Sequence, residues 1–192
     1  MKIGFIRHGT TAWNLEGRAQ GSSDIPLDER GNNDALALAK RLVGKGWSHI
    51  YSSDLKRARE TAEIIVNKAC SVGLEIDARL REVGGGQIEG TTEEERVTKW
   101  GMGWRELELG IEKREFVITR ALGFLNDIIE THTAANNNVL VVSHGAFLKQ
   151  LITEILPDEK VDGTLANTSL TILSYEDGRW KIDSFNDIGH VR

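Results

Sequence analysis

Cysteine is all but missing from this 192-residue chain. Cys70 is the only one, so no internal disulfide can form. It ends the apolar-periodic stretch from Ile64 to Ala69, where a small buried hydrophobe is a better reading than a reactive thiol. Long hydrophobic runs are missing as well. Ile3 to Ile6 is too short for a signal-peptide core and leads directly into charged residues, and Val139 to Val142 cannot span a bilayer. A basic surplus is also lacking: the formal net charge is −5, which argues against nucleic acid or an anionic membrane as a partner. A small anionic substrate stays open, because local arginine clusters can oppose the global sign. No linker, repeat or low-complexity segment interrupts the chain. With 40% hydrophobic residues it reads as one domain over residues 1–192, and a cytoplasmic location is expected.

Periodicity supplies the elements. Lys2 to Arg7 reads as a short strand bounded by Gly9. From Asp34 the period changes, and Ala35, Leu38, Ala39, Leu42 and Val43 share a helical face that ends near Gly44 and Gly46. His49 to Ser52 reads as a second strand, followed by a helix capped by Asp54 with Ala58, Ala62, Ile65, Val66 and Ala69 inward. Leu74 to Leu80 suggests a weaker third strand. Thr91 to Gly110 is glutamate-rich, then aromatic, and carries no clear period. A long helix follows with Ile118, Ala121, Leu122, Leu125 and Ile129 on one face. Asn136 to Asn138 make a turn into Val139 to Val142, a strand suited to burial on both sides. Leu148, Leu151, Ile152, Ile155 and Leu156 define a helix stopped by Pro157. Ser169 to Tyr175 and Arg179 to Phe185 close the chain as a hairpin around Asp177-Gly178. This alternation predicts an α/β fold: a three-layer α/β/α sandwich with a mostly parallel sheet and a mixed edge.

Ligands of such sheets sit beyond the carboxyl ends of the strands, and the residues there are unusual. The first strand delivers Arg7, His8 and Gly9, with Thr10, Thr11 and Asn14 close behind. A lone histidine at a strand end is more often structural. An arginine, a histidine and a glycine together suit an oxyanion better. The second strand delivers Ser52, Ser53 and Asp54, then Lys56, Arg57 and Arg59. Cations in a first helical turn oppose the helix dipole. Glu60 and Glu63 can compensate Lys56 and Arg59 at helical spacing, whereas the corresponding neighbour of Arg57 is the uncharged Thr61. After the third come Arg81 and Glu82, then Gly84, Gly85 and Gly86. A carboxylic acid there would serve as proton donor to a leaving alkoxide. After the fourth come Ser143, His144 and Gly145 at the opening of a helix, a place where ring and amide donors can hold an anion together. The remaining histidines, His49, His132 and His190, show no metal-binding spacing, so no metal and no cofactor are expected.

Taken together, these segments resemble the histidine phosphatase superfamily, which includes cofactor-dependent phosphoglycerate mutases and many small phosphatases. The resemblance rests on Arg7-His8-Gly9-Thr10-Thr11 with Asn14, on Ser52 to Ala58 with Thr61-Ala62, on Leu80-Arg81-Glu82 with Gly86 and Glu89-Gly90, and on Ser143-His144-Gly145. It covers nearly the whole chain. It implies that His8 becomes phosphorylated, that Arg7, Arg57 and His144 bind the phosphoryl group, that Asn14 adds a hydrogen bond, and that Glu82 is proton donor and later base. Gln20 and Gly21 match a segment that borders the substrate, and Gly145 joins the phosphate-binding set. The stretch from Val83 to Gly86 departs from the pattern of small phosphatases and suggests a more open pocket wall. Trp100, Met102 and Trp104 either line the site as an apolar wall or pin their segment to the body.

The activity implied is hydrolysis of a small phosphorylated metabolite without a metal. The alternatives are a phosphoglycerate mutase, which generally carries longer insertions than this chain offers, and a phospho-ligand-binding module without turnover. The pairing of a nucleophile with an acid weighs against the last.

Overall fold

The computed structural model describes residues 1–69, 73–133, 137–159 and 161–191. Cys70 and Asn136 lie outside them. Six strands form one sheet: β1 (Lys2–Arg7), β2 (Trp47–Ser52), β3 (Leu74–Ile76), β4 (Asn138–Ser143), β5 (Leu170–Glu176) and β6 (Arg179–Asp187). Their spatial order is β3-β2-β4-β1-β5-β6. The first four run parallel, and β5 and β6 add antiparallel pairings at one side. The fold is therefore a three-layer α/β/α sandwich with a mixed edge.

The two-residue period of the strands divides the core. Ile3, Phe5, Tyr51, Val139 and Val141 face one layer, built by helices α5 (Arg114–His132) and α6 (Gly145–Ile155). Ile6, Ile50, Leu140 and Val142 face the other, built by α2 (Glu29–Leu42) and α3 (Lys56–Ala69). The central strand β4 is covered on both faces, so its apolar run needs no alternation. Short helices α1 (Ala12–Leu15) and α4 (Glu93–Trp100) flank the carboxyl edge. Among the described residues no helix is long and apolar enough to cross a membrane.

Several boundaries differ from the sequence reading. Helix α2 begins at Glu29, because Asp28 caps it by accepting from the Gly31 amide at 2.6 Å, ahead of any apolar period. The third strand stops at Ile76, and Ala78–Leu80 turn as a 3-10 helix whose cap is Asp77. Helix α5 buries Val117, Ala121, Phe124, Leu125 and Ile128, with Ile118, Leu122 and Ile129 only half covered. It carries two overlapping apolar stripes, and packing against α6 selects the first.

Asp54 does not cap α3. Its carboxylate pairs with Arg81, and the Lys56 amide donates instead to Asp24 Oδ1 at 2.6 Å, a cap reaching in from a distant loop.

Candidate active site

Strand register brings the chemistry to one edge. Arg7 sits opposite Ser143, and Ser52 opposite Val142. Pairing continues one residue beyond the strands: the His8 amide donates to Ser143 O at 2.9 Å and the Ser53 amide to Val142 O at 3.0 Å. His8, Ser53 and His144 are thus fixed by backbone bonds before any side-chain contact forms. The two imidazole rings lie 5.2 Å apart.

His8 is buried, and its Nδ1 is 2.7 Å from Gly9 O. A carbonyl only accepts, so Nδ1 carries the proton and Nε2 keeps a free lone pair. Burial first, then the charges of Arg57 and Arg7, push the His8 pKa well below the usual imidazole value. The ring is held in its neutral form. His144 is lowered in the same way, by burial and then by Arg57. Its Nε2 meets Ser53 Oγ at 2.9 Å, and its Nδ1 has no partner among the described residues.

The guanidinium groups share a design. Arg57 donates to Ser23 O at 2.7 Å and to Gly21 O at 2.8 Å, leaving Nε buried and without a partner among the described residues. Arg7 donates to Leu165 O, and its Nε likewise has none among them. Neither makes an ion pair among the described residues. Burial lowers the Arg57 pKa to about 10, so the group stays charged at neutral pH. Gly145 makes room for Arg7: a Cβ there would stand 3.2 Å from Arg7 Nε.

Glu82 occupies the amino end of α6. Its Oε1 accepts from the amides of Val83 at 2.9 Å and Phe147 at 2.8 Å, and its Oε2 from Ala146 at 3.2 Å. The Ala146 and Phe147 amides of this helix start, a position the sequence assigns to an anionic ligand, are thus engaged by the protein's own carboxylate. Arg7 and Glu82 line one cleft of about 220 Å³ with Gly145 and Lys149. Arg7 also lines a second cleft of about 330 Å³ with Asn14 and Asn167. A larger concavity of about 710 Å³ over the β5–β6 hairpin holds no histidine.

Asn14 belongs to the capping box of α1, its Oδ1 accepting from Thr11 N and Oγ1, both at 3.1 Å, and from Asn167 Nδ2 at 3.3 Å. Three donors on the oxygen leave the amide NH2 for a ligand. Gly21 acts through its carbonyl on Arg57. Gln20 is buried with Oε1 unpartnered. Among the described residues no group of three or more His, Cys, Asp and Glu side chains is gathered for a metal ion.

Asn167 and Thr168 are not singled out by the sequence, and Thr61 and Glu89 stand in its motifs without an assigned role. Asn167 donates to His8 O at 2.9 Å. Thr168 adopts φ 55, a costly conformation for a β-branched residue, and its amide donates to Arg7 O at 3.0 Å. Thr61 Oγ1 accepts from the Gly9 amide at 2.9 Å. Glu89 ties the segment around Arg57 to the glycine run, accepting from Ser22 N, Ser23 Oγ and Gly85 N at 2.7–2.9 Å.

The glycines do not open the wall. Gly86 lies at φ +54, and any Cβ there would collide with the backbone of Leu109 and Gly110, which packs directly against it. Trp104 pins its segment, buried beneath Arg96 and Arg105 with Nε1 donating to Glu93 at 3.0 Å, while Met102 is 82% exposed.

Known proteins are similar to this chain over nearly their whole length. A relative from Salmonella paratyphi A named a probable phosphoglycerate mutase GpmB is 32% identical over 213 residues, covering 100% of this chain and 95% of that one. The structure of Bacillus stearothermophilus YhfR superposes with a TM-score of 0.90 at 31% identity, covering 100% and 99% of the two chains. A mycobacterial glucosyl-3-phosphoglycerate phosphatase in complex with VO3 gives 0.85 at 28% identity, over 96% and 98%. The family model of the histidine phosphatase superfamily (branch 1) matches residues 3–188, and with that extent of agreement the chain belongs to this superfamily.

Proposed function

We propose that this protein is a metal-independent phosphomonoesterase that hydrolyses a small phosphorylated metabolite through a phosphohistidine at His8. One observation carries the reading. Arg7 Nε, Arg57 Nε and His144 Nδ1 are buried polar atoms without partners among the described residues, and they belong to groups whose charges or rings act on His8. Unsatisfied buried polar atoms are costly, and an oxyanion would satisfy both arginine donors, and His144 as well in the tautomer that carries its proton on Nδ1.

The chemistry runs in two displacements. His8 Nε2 attacks phosphorus in line, the N–P bond forms, and the P–O bond to the leaving group breaks while Glu82 donates its proton to the departing oxygen. A water then attacks the phosphohistidine, giving a proton to the Glu82 carboxylate as the N–P bond breaks and neutral His8 returns. Uncatalysed monoester hydrolysis can require accelerations up to about 10²¹, and positioned arginines are worth on the order of 10³ to 10⁵ in phosphoryl transfer. Arg7 and Arg57 supply that charge, with His144 and Asn14 adding donors.

The expected phosphoenzyme is acid-labile and base-stable, and it is absent from His8→Ala. A fully active His8→Ala protein would sink the mechanism. Glu82→Gln should lose more rate on alkyl phosphates than on p-nitrophenyl phosphate, whose leaving group needs little protonation.

The name of the mutase relative favours a second reading, in which the phosphoryl group returns to a bound acceptor. Chain length does not separate the two, because this chain spans 95% of that relative. The name of the structural neighbour, a glucosyl-3-phosphoglycerate phosphatase, weighs toward hydrolysis. Phosphate release measured with and without 2,3-bisphosphoglycerate distinguishes them: a mutase would release little and transfer instead.

A further inference from the structure

Arg120 projects from α5, and its contacts converge on one loop. Its Nη1 donates to Arg79 O at 2.7 Å and Arg81 O at 2.6 Å, and its Nη2 to Glu82 O at 3.1 Å. Nε and Nη2 also donate to the two oxygens of Glu112, both at 2.9 Å. Glu112 in turn grips the far side of the same loop, with Oε2 accepting from the Gly84 amide at 3.0 Å and its own amide donating to Gly84 O at 2.8 Å. Residues 79–84, with Glu82 among them, are therefore held at both ends by one ion pair.

A third contact links the pair to the carboxylate itself. The Arg120 guanidinium lies 4.8 Å from the centre of the Phe147 ring, and the Phe147 amide is the donor 2.8 Å from Glu82 Oε1. One cation thus touches the backbone that carries Glu82 and the residue that orients its oxygen. Burial pushes the Glu112 carboxyl up, but the bonds from Arg120 and Gly84 outweigh it and hold the pKa below the ordinary value. The pair is charged, and the Arg120 charge is answered locally. Glu82 acts on Arg7 and Arg57 at a distance, but neither has a carboxylate in hydrogen-bond contact among the described residues, and in this Arg120 differs from them.

We propose that Arg120, oriented by Glu112, is the positioning residue for the general acid Glu82. The inference rests on the phosphatase reading of the same site. Proton transfer requires the carboxyl within about 2.6–3.2 Å of the leaving oxygen, and displacements on the order of 1 Å can cost about a hundredfold. Without Arg120, three loop carbonyls lose their donor, and the loop is free to settle elsewhere. A half-buried ion pair that merely stabilised the fold would affect all substrates alike. One that places the acid acts only where the leaving group needs a proton.

The experiment measures kcat/KM, which reports the first displacement, on phenyl phosphate and p-nitrophenyl phosphate. Arg120→Lys keeps a cation but not the fork, and Glu112→Gln keeps the shape but not the charge. For Arg120→Lys the expected fall is about tenfold or more on phenyl phosphate and under about threefold on p-nitrophenyl phosphate. Glu112→Gln should move the same way by less. Combining Arg120→Lys with Glu82→Gln should add almost nothing to Glu82→Gln alone, because both act through one proton. Equal falls on the two esters, or full additivity in the double variant, would overturn the assignment while leaving the phosphatase reading intact. A wild-type protein that hydrolyses neither ester, or a His8→Ala variant that still does, would overturn that reading and this inference with it.

Discussion

Replacing Arg57 with methionine should abolish phosphoryl transfer and yet leave the empty protein about as stable. Its charged form is disfavoured by burial, which lowers its pKa from 12.5 to about 10. At about 1.36 kcal/mol per pH unit, this corresponds to a cost of roughly 3 kcal/mol for carrying the charge in the folded state. The sign is straightforward: the cost applies in full below the folded value, so all of it is present at neutral pH. Against it stand the bonds to Ser23 O and to the buried Gly21 O, worth about 1.5 kcal/mol each because the donor is charged. Methionine fills a similar shape flexibly. The two sides nearly cancel, so Tm should move by no more than about 2–4 °C for a chain of this size. Calorimetry of both proteins with and without inorganic phosphate is the assay. Phosphate should raise the Tm of the wild type and leave Arg57→Met unmoved. A variant about 2 kcal/mol or more less stable without phosphate, or one that phosphate stabilises equally, would refute the argument that Arg57 is held at a cost for its ligand.

Buried histidines make stability depend on pH. His8 and His144 have pKa values held well below the ordinary imidazole value, and burial lowers His132 and His190 as well, so below that value the unfolded chain binds protons that the native chain refuses. Stability should fall as pH drops through about 6, by up to about 1.4 kcal/mol per pH unit for each ring, and His144→Gln should make the slope shallower in Tm-versus-pH scans. The acid limb of kcat/KM should lie below the ordinary imidazole range, and a limb at that range would mean His8 is not shielded as its burial indicates. Ser53→Ala removes the hydroxyl at His144 Nε2 and should lower kcat/KM about tenfold, with ¹⁵N shifts showing mixed tautomers at His144. An unchanged rate would dismiss Ser53 from the site.

The fold was legible wherever one apolar period dominated. The apolar run Ile3 to Ile6 and the buried run in β4 placed the strands, and with them the residues at their ends. At helical spacing from Arg57 stands Thr61, whose hydroxyl donates to Arg57 O at 2.7 Å, and Arg57 makes no ion pair among the described residues. What stayed hidden was made by the tertiary fold. Asp24 caps α3 across a gap of 32 residues, and Asn167 reaches His8 across 159. No local pattern encodes either. The region from Thr91 to Gly110 did carry one readable signal, the capping box of Thr92 and Glu95 that starts α4. The apolar period looked for there is missing because α4 buries only Arg96.

The arginines divide by what answers their charge, and that division explains how one small chain separates structure from chemistry. Arg18, Arg41, Arg79, Arg81 and Arg114 all pair with carboxylates, and each staples one segment to another. Arg7 and Arg57 are fixed instead by carbonyls, of Leu165, Gly21 and Ser23. A carbonyl orients a guanidinium without cancelling it, whereas a carboxylate in contact would compete directly with a phosphate dianion. The carbonyl design demands a backbone with little freedom. Glu89 supplies it for residues 22–23, and Thr168 does so for Arg7 at the expense of a strained φ. Arg120 combines both modes, with three carbonyls and one carboxylate, and its charge is spent within the protein. It can therefore hold the Glu82 loop close to the phosphoryl site without drawing the phosphate toward itself, which neither Arg7 nor Arg57 could do in its place.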